Sequence, residues 1–343
     1  MNAFGAIAGE RVRPLSPHDG EAVRAFLETC AEAEPFHLPA WARAVEGGCG
    51  QADRTLVAED GHGRIVGLLP LTEVRSPLFG SALVSTGFGV GGGILGKPVD
   101  ALAEAAWQLA ANLGCASVEL RGGALPSGWE RREGVYFGFA RDLPADDDAI
   151  LKAIPRKQRA EVRRSLGFDL DVTIGRGLDD HYRVYSESVR NLGTPVFPRR
   201  LFDAMLGEFG DAADILTISR GREPLASVLS FYHRGTVYPY WGGGTAEARP
   251  WRANDRMYFE LMRHAARRGC TRFDFGRSKA GTGAFSFKKN WGFEPAPLVY
   301  AVRGETRETN PLSPKYRLQV ALWKKLPLPV ANFLGPPIAR GLG

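Results

Sequence analysis

The chain has 343 residues, enough for about two domains at ~100–200 residues each. Its 44% hydrophobic and 24% charged residues exclude a disordered chain, and 42 glycines without a three-residue period exclude collagen. The formal charge of +6 admits an anionic ligand without naming one. The four cysteines, Cys30, Cys49, Cys115 and Cys270, form no CxxC pair, so reduced thiols in a cytosolic protein are expected. Neither a signal peptide nor a membrane-spanning run of ~18 apolar residues is expected.

In chain order, residues 55–70 (TLVAEDGHGRIVGLLP) predict two strands joined by a glycine-containing hairpin turn. LVSTGFGVGGGILG predicts a strand ending in glycines 91–93. A helix follows, with Asp100 as its cap, Leu102, Ala106, Leu109 and Leu113 on one face, and Gly114 at its end. The strand ASVELRGG then carries Glu119. Acidic residues 146–148 suggest a boundary near 145. LKAIPRKQRAEVRRSLG (151–167) predicts one amphipathic basic helix, with Arg156, Lys157 and Arg159 among its cations.

The order then repeats. Residues 215–231 predict a hairpin, and TVYPYWGGGTAE predicts a strand ending in glycines 242–244. The next helix has Asn254 as its cap, Met257, Leu261 and Ala265 on one face, and Gly269 as its stop. The strand TRFDFGRS then carries Asp274. Gly114-Cys115 aligns with Gly269-Cys270, and Glu119 with Asp274. The expected fold class is therefore α/β (α+β) in two similar halves, spanning 1–145 and 146–305. The tail, 306–343, predicts one basic helix over 315–325, with Tyr316, Val320 and Trp323 on one side. It packs on the body or rests on an anionic membrane surface.

Several motifs fail. Residues 91–98 lack the Ser/Thr of a P-loop, and the glycines at 87–92 do not open a helix as a dinucleotide site requires. Gly276-Arg277-Ser278-Lys279-Ala280 is not GxSxG, and the histidines show no ligand spacing. No metal site and no DNA partner are expected.

The segment RFDFGRSKAGTGAFSFKKNWGFEP (272–295) combines a strand, a glycine-rich loop and a short helix over 285–290 bearing Lys288. This ending resembles that of the acyl-CoA N-acyltransferase (GNAT) fold. With YPYWGGGTAEARPWRANDRMYFELMRHAARRGC and IPRKQRAEVRRS, the chain resembles the FemAB family. NLGTPVFPRRLF and the tail resemble the branch associated with PEP-CTERM/exosortase systems and extracellular polysaccharide. The resemblance implies tandem GNAT-like domains and acyl or aminoacyl transfer to an amine on a cell-envelope, peptide or polysaccharide precursor. It matches the family's Phe-Lys pair to Phe287-Lys288. The pyrophosphate loop of CoA-using relatives is not matched at 249–254, which lack its glycines. No bound cofactor is expected, and the acyl donor stays open between aminoacyl-tRNA and an acyl-CoA.

N-acyl transfer requires an unprotonated amine, an activated carbonyl and charge for the oxyanion, without a covalent enzyme intermediate. The catalytic candidates are Lys288 for the oxyanion, Asp274 as base or amine anchor, and Arg277 at the strand's end. The substrate-binding candidates are Tyr240, Trp241, Asn254, Phe287, Arg156, Lys157 and Arg159. Two rival readings remain: a CoA-dependent N-acetyltransferase of an amino sugar, and a non-catalytic binding protein.

Overall fold

The computed structural model describes residues 4–7, 10–305 and 314–343. The chain runs β1 (Phe4–Ile7), β2 (Glu10–Pro14), α1 (Gly20–Thr29), α2 (Pro39–Cys49), β3 (Ala52–Asp53), β4 (Leu56–Glu59) and β5 (Ile65–Leu69). It continues through β6 (Thr72–Ser76), β7 (Gly80–Ser85), β8 (Leu95–Gly96), α3 (Val99–Leu113), β9 (Ser117–Arg121) and β10 (Glu130–Arg132). Next come β11 (Tyr136–Asp142), α4 (Asp147–Ala153), α5 (Arg156–Leu166), β12 (Asp171–Gly175), α6 (Leu178–Leu192), α7 (Arg199–Phe209), β13 (Ala213–Arg220) and β14 (Glu223–His233). They are followed by β15 (Thr236–Gly244), α8 (Ala253–Arg267), β16 (Arg272–Lys279), α9 (Gly283–Asn290), β17 (Ala296–Pro297) and β18 (Tyr300–Gly304). The tail forms α10 (Arg317–Trp323) and α11 (Leu328–Ala339).

Two compact units result. Unit 1 comprises residues 1–133, 298–310 and 337–343; unit 2 comprises 134–297 and 311–336. These differ from the sequence boundaries at 145 and 305. The reason is strand pairing: β11 lies between β16 and β17 in unit 2, while β18 pairs with β9 and β10 in unit 1.

Unit 1 holds an antiparallel sheet, β1-β2-β4-β5-β8, and a mixed sheet, β10-β18-β9-β7-β6-β3. Helix α3 buries Leu102, Ala103 and Ala106 beside Val12, Leu56 and Val118. Glycines 91–93 lie outside the strands, so the first glycine run does not end a strand as expected. Unit 2 holds one mixed sheet, β12-β13-β14-β15-β16-β11-β17. Helix α8 buries Met257, Leu261 and Ala265, the predicted stripe, in a core with Phe273, Phe275 and Trp291. Each such large side chain contributes roughly 1.5–3 kcal/mol on burial.

Three local expectations change. The basic segment is two helices, because Pro155 cannot continue α4 and instead precedes the first turn of α5. Asp100 is not a cap: Pro98 holds that position of α3, and Asp100 Oδ1 accepts the Ser127 amide at 2.7 Å. Asn254 is not a cap either. Arg252, in a left-handed conformation, precedes α8 and offers no side-chain cap. In the tail, Leu328–Ala339 adds a helix that its prolines concealed.

Candidate functional site: an opened strand pair in unit 2

Strands β15 and β16 run parallel but pair only at Thr236–Arg272 and Val237–Phe273. Both continue well past that point, so their facing edges separate. Bulges account for the divergence. In β15 the register with β14 slips around Tyr240, between the pairs Leu229–Trp241 and Ser230–Pro239. In β16 it slips at Phe275-Gly276, opposite Phe139 of β11. An extra residue bends its strand away from regular pairing. Gly276 has φ +66°, a conformation natural to glycine.

Lys288 projects from α9 onto β16, one of the two strands that part. It is 9% exposed, and its Nζ donates to the carbonyls of Arg277 (2.9 Å) and Gly276 (3.2 Å). The rings of Phe139 and Phe275 lie 5.4 and 5.8 Å from the ammonium. Burial pushes its pKa down to about 7; Asp274 opposes that shift and Arg277 adds to it. Helix α9 is set by Thr282, whose hydroxyl accepts the Phe285 amide. Lys289, the next residue, is exposed.

Asp274 points away from its buried neighbours Phe273 and Phe275, as the strand alternation requires. Its Oδ1 accepts the Gly276 amide at 2.8 Å. Burial raises its pKa, against the Gly276 bond and the nearby Lys288 charge. Arg277 lays its guanidinium over the Tyr136 ring at 4.6 Å. Lys288, Asp274 and Arg277 thus meet along the middle of β16, which runs on to Lys279 rather than ending before Arg277.

The predicted substrate residues divide. Asn254 lies against the glycine run: a Cβ on Gly244 would sit 2.7 Å from its Oδ1. That oxygen is buried and makes no hydrogen bond. Gly243 is equally confined, since a Cβ there would collide with Ser188 Oγ. Tyr240, half-buried, packs on Phe231 and Trp241. For Trp241 the sequence leaves groove and core equally open. It is 5% exposed and packed on Phe197, Phe202 and Phe231, so it belongs to the core rather than to a groove. Phe287 is half-buried among Tyr258, Phe275 and Trp291.

Arg156 and Lys157 are exposed and Arg159 is half-buried, all in the first turns of α5. Pro155, just before them, lies against Gly292 after α9. Arg141 ties this corner by donating to the carbonyls of Ala153 and Trp291. Along the α5–α8 seam, Gln158 donates to Asp255, Glu161 pairs with Arg252, and Arg256 donates to the Ser165 carbonyl. Burial pushes Asp255 up to about 6. Phe139, Arg141 and Asp255 were missed in sequence. Only the apolar alternation of β11 hinted at Phe139, and nothing tied it to Lys288.

Residues 151–289 match the family model described as an acetyltransferase (GNAT) domain. No curated relative matches the sequence. Among solved structures, the chain is similar to FemX, with a TM-score of 0.63 at 14% identity, covering 84% of this chain and 96% of that one. It is similar to a tandem GNAT protein from the clavulanic acid biosynthesis pathway, at 0.55 and 15% identity, over 86% and 98% of the two chains. It is also similar to L-PGS from Bacillus licheniformis, at 0.51 and 16% identity, over 90% and 97%. The fold is therefore that of tandem GNAT and FemX structures, α+β with mixed sheets and packed helices.

Proposed function

We propose that this GNAT domain performs FemX-like N-acyl transfer. An acyl or aminoacyl group passes from an activated ester or thioester to an amine on a cell-envelope, peptide or polysaccharide precursor. The opened β15–β16 pair, with Lys288 buried against the carbonyls of β16, carries this reading. The amine attacks the donor carbonyl, the carbonyl oxygen takes negative charge, and the alcohol or thiol of the donor leaves with a proton. Lys288 supplies positive charge to the oxyanion, in surroundings dry enough to make that charge count. Asp274, its carboxylate made more basic by burial, anchors the attacking amine and takes its proton. Arg277 holds the donor's anionic part. Tyr240, Asn254 and Phe287 border the acyl path. Arg156, Lys157 and Arg159 meet donor phosphates.

The resemblance to FemAB-like proteins of PEP-CTERM/exosortase systems supports an envelope or polysaccharide acceptor and a cytoplasmic setting at the inner membrane. A CoA thioester donor is favoured by the acetyltransferase description of the matching family. An aminoacyl-tRNA donor is favoured by residues 249–254, which have no glycine loop and place Arg252 before α8. Incubation of the purified chain with each donor and an amine acceptor distinguishes them. Transfer from one donor assigns it. Absence of transfer from both, with precursor binding retained, would make the chain a binding protein.

A further inference from the structure

Helices α10 and α11 divide their side chains by face. Tyr316, just before α10, and Val320 and Trp323 on it are half-buried, while Leu318 and Leu322 are exposed, Leu318 at 69%. The inner face is seated at the end of α6: a Cβ on Gly193 would lie 2.5 Å from Val320 Cγ1, and Arg190 donates to the Leu326 carbonyl. On α11, Ala331 is buried, Asn332 donates to Ser186, and Gly335 lies against Val196. Its other face exposes Val330, Leu334 and Phe333, the last at 80%. Leu192, beside the Gly193 contact, is 68% exposed.

Folding therefore satisfies one side of each helix and leaves an apolar side in water. Single exposed apolar residues are ordinary, but a cluster on one short segment marks an interaction surface. Its charge is one-sided. Residues 314–343 contain Lys315, Arg317, Lys324, Lys325 and Arg340 and no acid. The first four are exposed, and among the described residues they form no ion pair. No helix among the described residues is long and apolar enough to cross a membrane. Exposed leucine and phenylalanine side chains flanked by unpaired lysines suit a surface that is apolar below and anionic above.

We propose that α10 and α11 form a membrane-docking surface for anionic phospholipid. Phe333, Leu318 and Leu322 enter the headgroup–acyl boundary, and Lys315, Arg317, Lys324 and Lys325 meet lipid phosphates. This surface is independent of the acyl-transfer site, and its test needs no substrate.

The experiment is co-sedimentation of the full chain with vesicles, either phosphatidylcholine alone or mixed with phosphatidylglycerol. Binding is expected to the mixed vesicles at low salt, with release as salt screens the charges. Each of Lys324→Gln and Lys325→Gln should lower partitioning by about fivefold. Phe333→Ser with Leu318→Ser should abolish it while leaving the circular dichroism spectrum and melting temperature unchanged, since both side chains already stand in water. Should that double variant lose its fold, the salt and lipid dependence of the unmodified chain still decides. No binding to phosphatidylglycerol vesicles overturns the proposal. So does equal binding to both vesicle types, or a dimer in solution that Phe333→Ser disperses while vesicle binding stays absent. The last result would assign the face to a second copy.

Discussion

In unit 1 the parallel pair β7–β9 stays in register from Ala82–Ser117 to Ser85–Leu120, whereas in unit 2 the pair β15–β16 stops after Val237–Phe273. The two devices are otherwise alike. Helices α3 and α8 have 15 residues each, and Gly114 and Gly269 end them with positive φ. The difference begins at the aligned acids. Glu119 is still paired across the strands, while Asp274 lies beyond the last pair. Two residues on, unit 1 has Arg121 and unit 2 has Gly276. Arg121 is 6% exposed and spends its donors on Glu119, on the carbonyls of Thr86 and Gly89, and on that of Gly343. Gly276 has no side chain, and its carbonyl receives Lys288 instead. One copy of the device is closed and saturated by its own chain; the other keeps an open edge with a buried cation beside it.

The largest expected effect is at that cation. Lys288→Met keeps the apolar stem and removes the charge. Turnover should fall by about 10²-fold or more, as when one oxyanion donor is lost. Arg121→Met, the matching change in unit 1, strips partners from Glu119 and several carbonyls. It should cost about 1–3 kcal/mol in denaturant unfolding but leave turnover per folded molecule unchanged. Lys289→Met, on the exposed side of α9, should be nearly silent. Loss of turnover from Arg121→Met matching that from Lys288→Met would remove the functional distinction between the units.

The pH profile sharpens the same contrast. Lys288, held at about 7, is charged below that value and neutral above it. If its charge serves the oxyanion, turnover should fall about tenfold per pH unit above 7 once the acceptor amine is accounted for. Lys288→Arg stays charged, so that limb should vanish. Stability moves in the opposite direction. Between about 7 and the ordinary lysine value of 10.5 the unfolded chain binds more protons at this lysine than the folded chain does. Its contribution to stability therefore rises with pH across that window, and in Lys288→Met the rise should be absent.

Much of this comparison was legible in sequence. The repeated hairpin–strand–helix–strand order, the aligned Gly114 and Gly269, and the stripe of α8 are local patterns of period and turn chemistry. Lys288, Asp274 and Arg277 were legible too, because they fall within one stretch of about fifteen residues around a glycine loop. What sequence concealed is non-local. Nothing in YFGFARD says that β11 pairs with β16 rather than staying in unit 1, or that Phe139 will cover Lys288. Trp241 stayed open between groove and core, because a strand-end tryptophan beside glycines has the same pattern in either place. Asn254 misled because its residue type caps helices well, whereas Arg252 in the left-handed region moved the helix start two residues earlier.

A smaller effect is expected at the first turns of α5, which has no counterpart among the described residues of unit 1. Arg156→Glu with Arg159→Glu should weaken donor binding by at least about tenfold and reduce its salt dependence, since fewer counterions are released on binding. Thermal unfolding should change little, because neither side chain makes an ion pair among the described residues. Unchanged donor affinity would return α5 to an ordinary solvated face.

The smallest effect concerns Asp100 and Asp255, which occupy aligned positions at the starts of α3 and α8. Asp100 is exposed and accepts the Ser127 amide, whereas Asp255 is half-buried against Gln158, with Glu161 and Arg252 nearby. Burial raises Asp255 to about 6 from 3.8, so between about 4 and 6 the folded chain binds more protons there than the unfolded chain. Stability from this group therefore declines as pH rises through that window, and the penalty is complete above it. Asp255→Asn removes the charge and can still accept from Gln158. It should equal the parent chain near pH 4 and exceed it by about 1 kcal/mol at pH 7, a figure reduced from the full shift because the group is partly solvated. Asp100→Asn should stay within about 0.5 kcal/mol. Denaturant unfolding of both variants at the two pH values measures the difference. If Asp255→Asn gained no stability at pH 7, the seam would hold that carboxylate as comfortably as water does. The acid would then differ from Asp100 only in its neighbours.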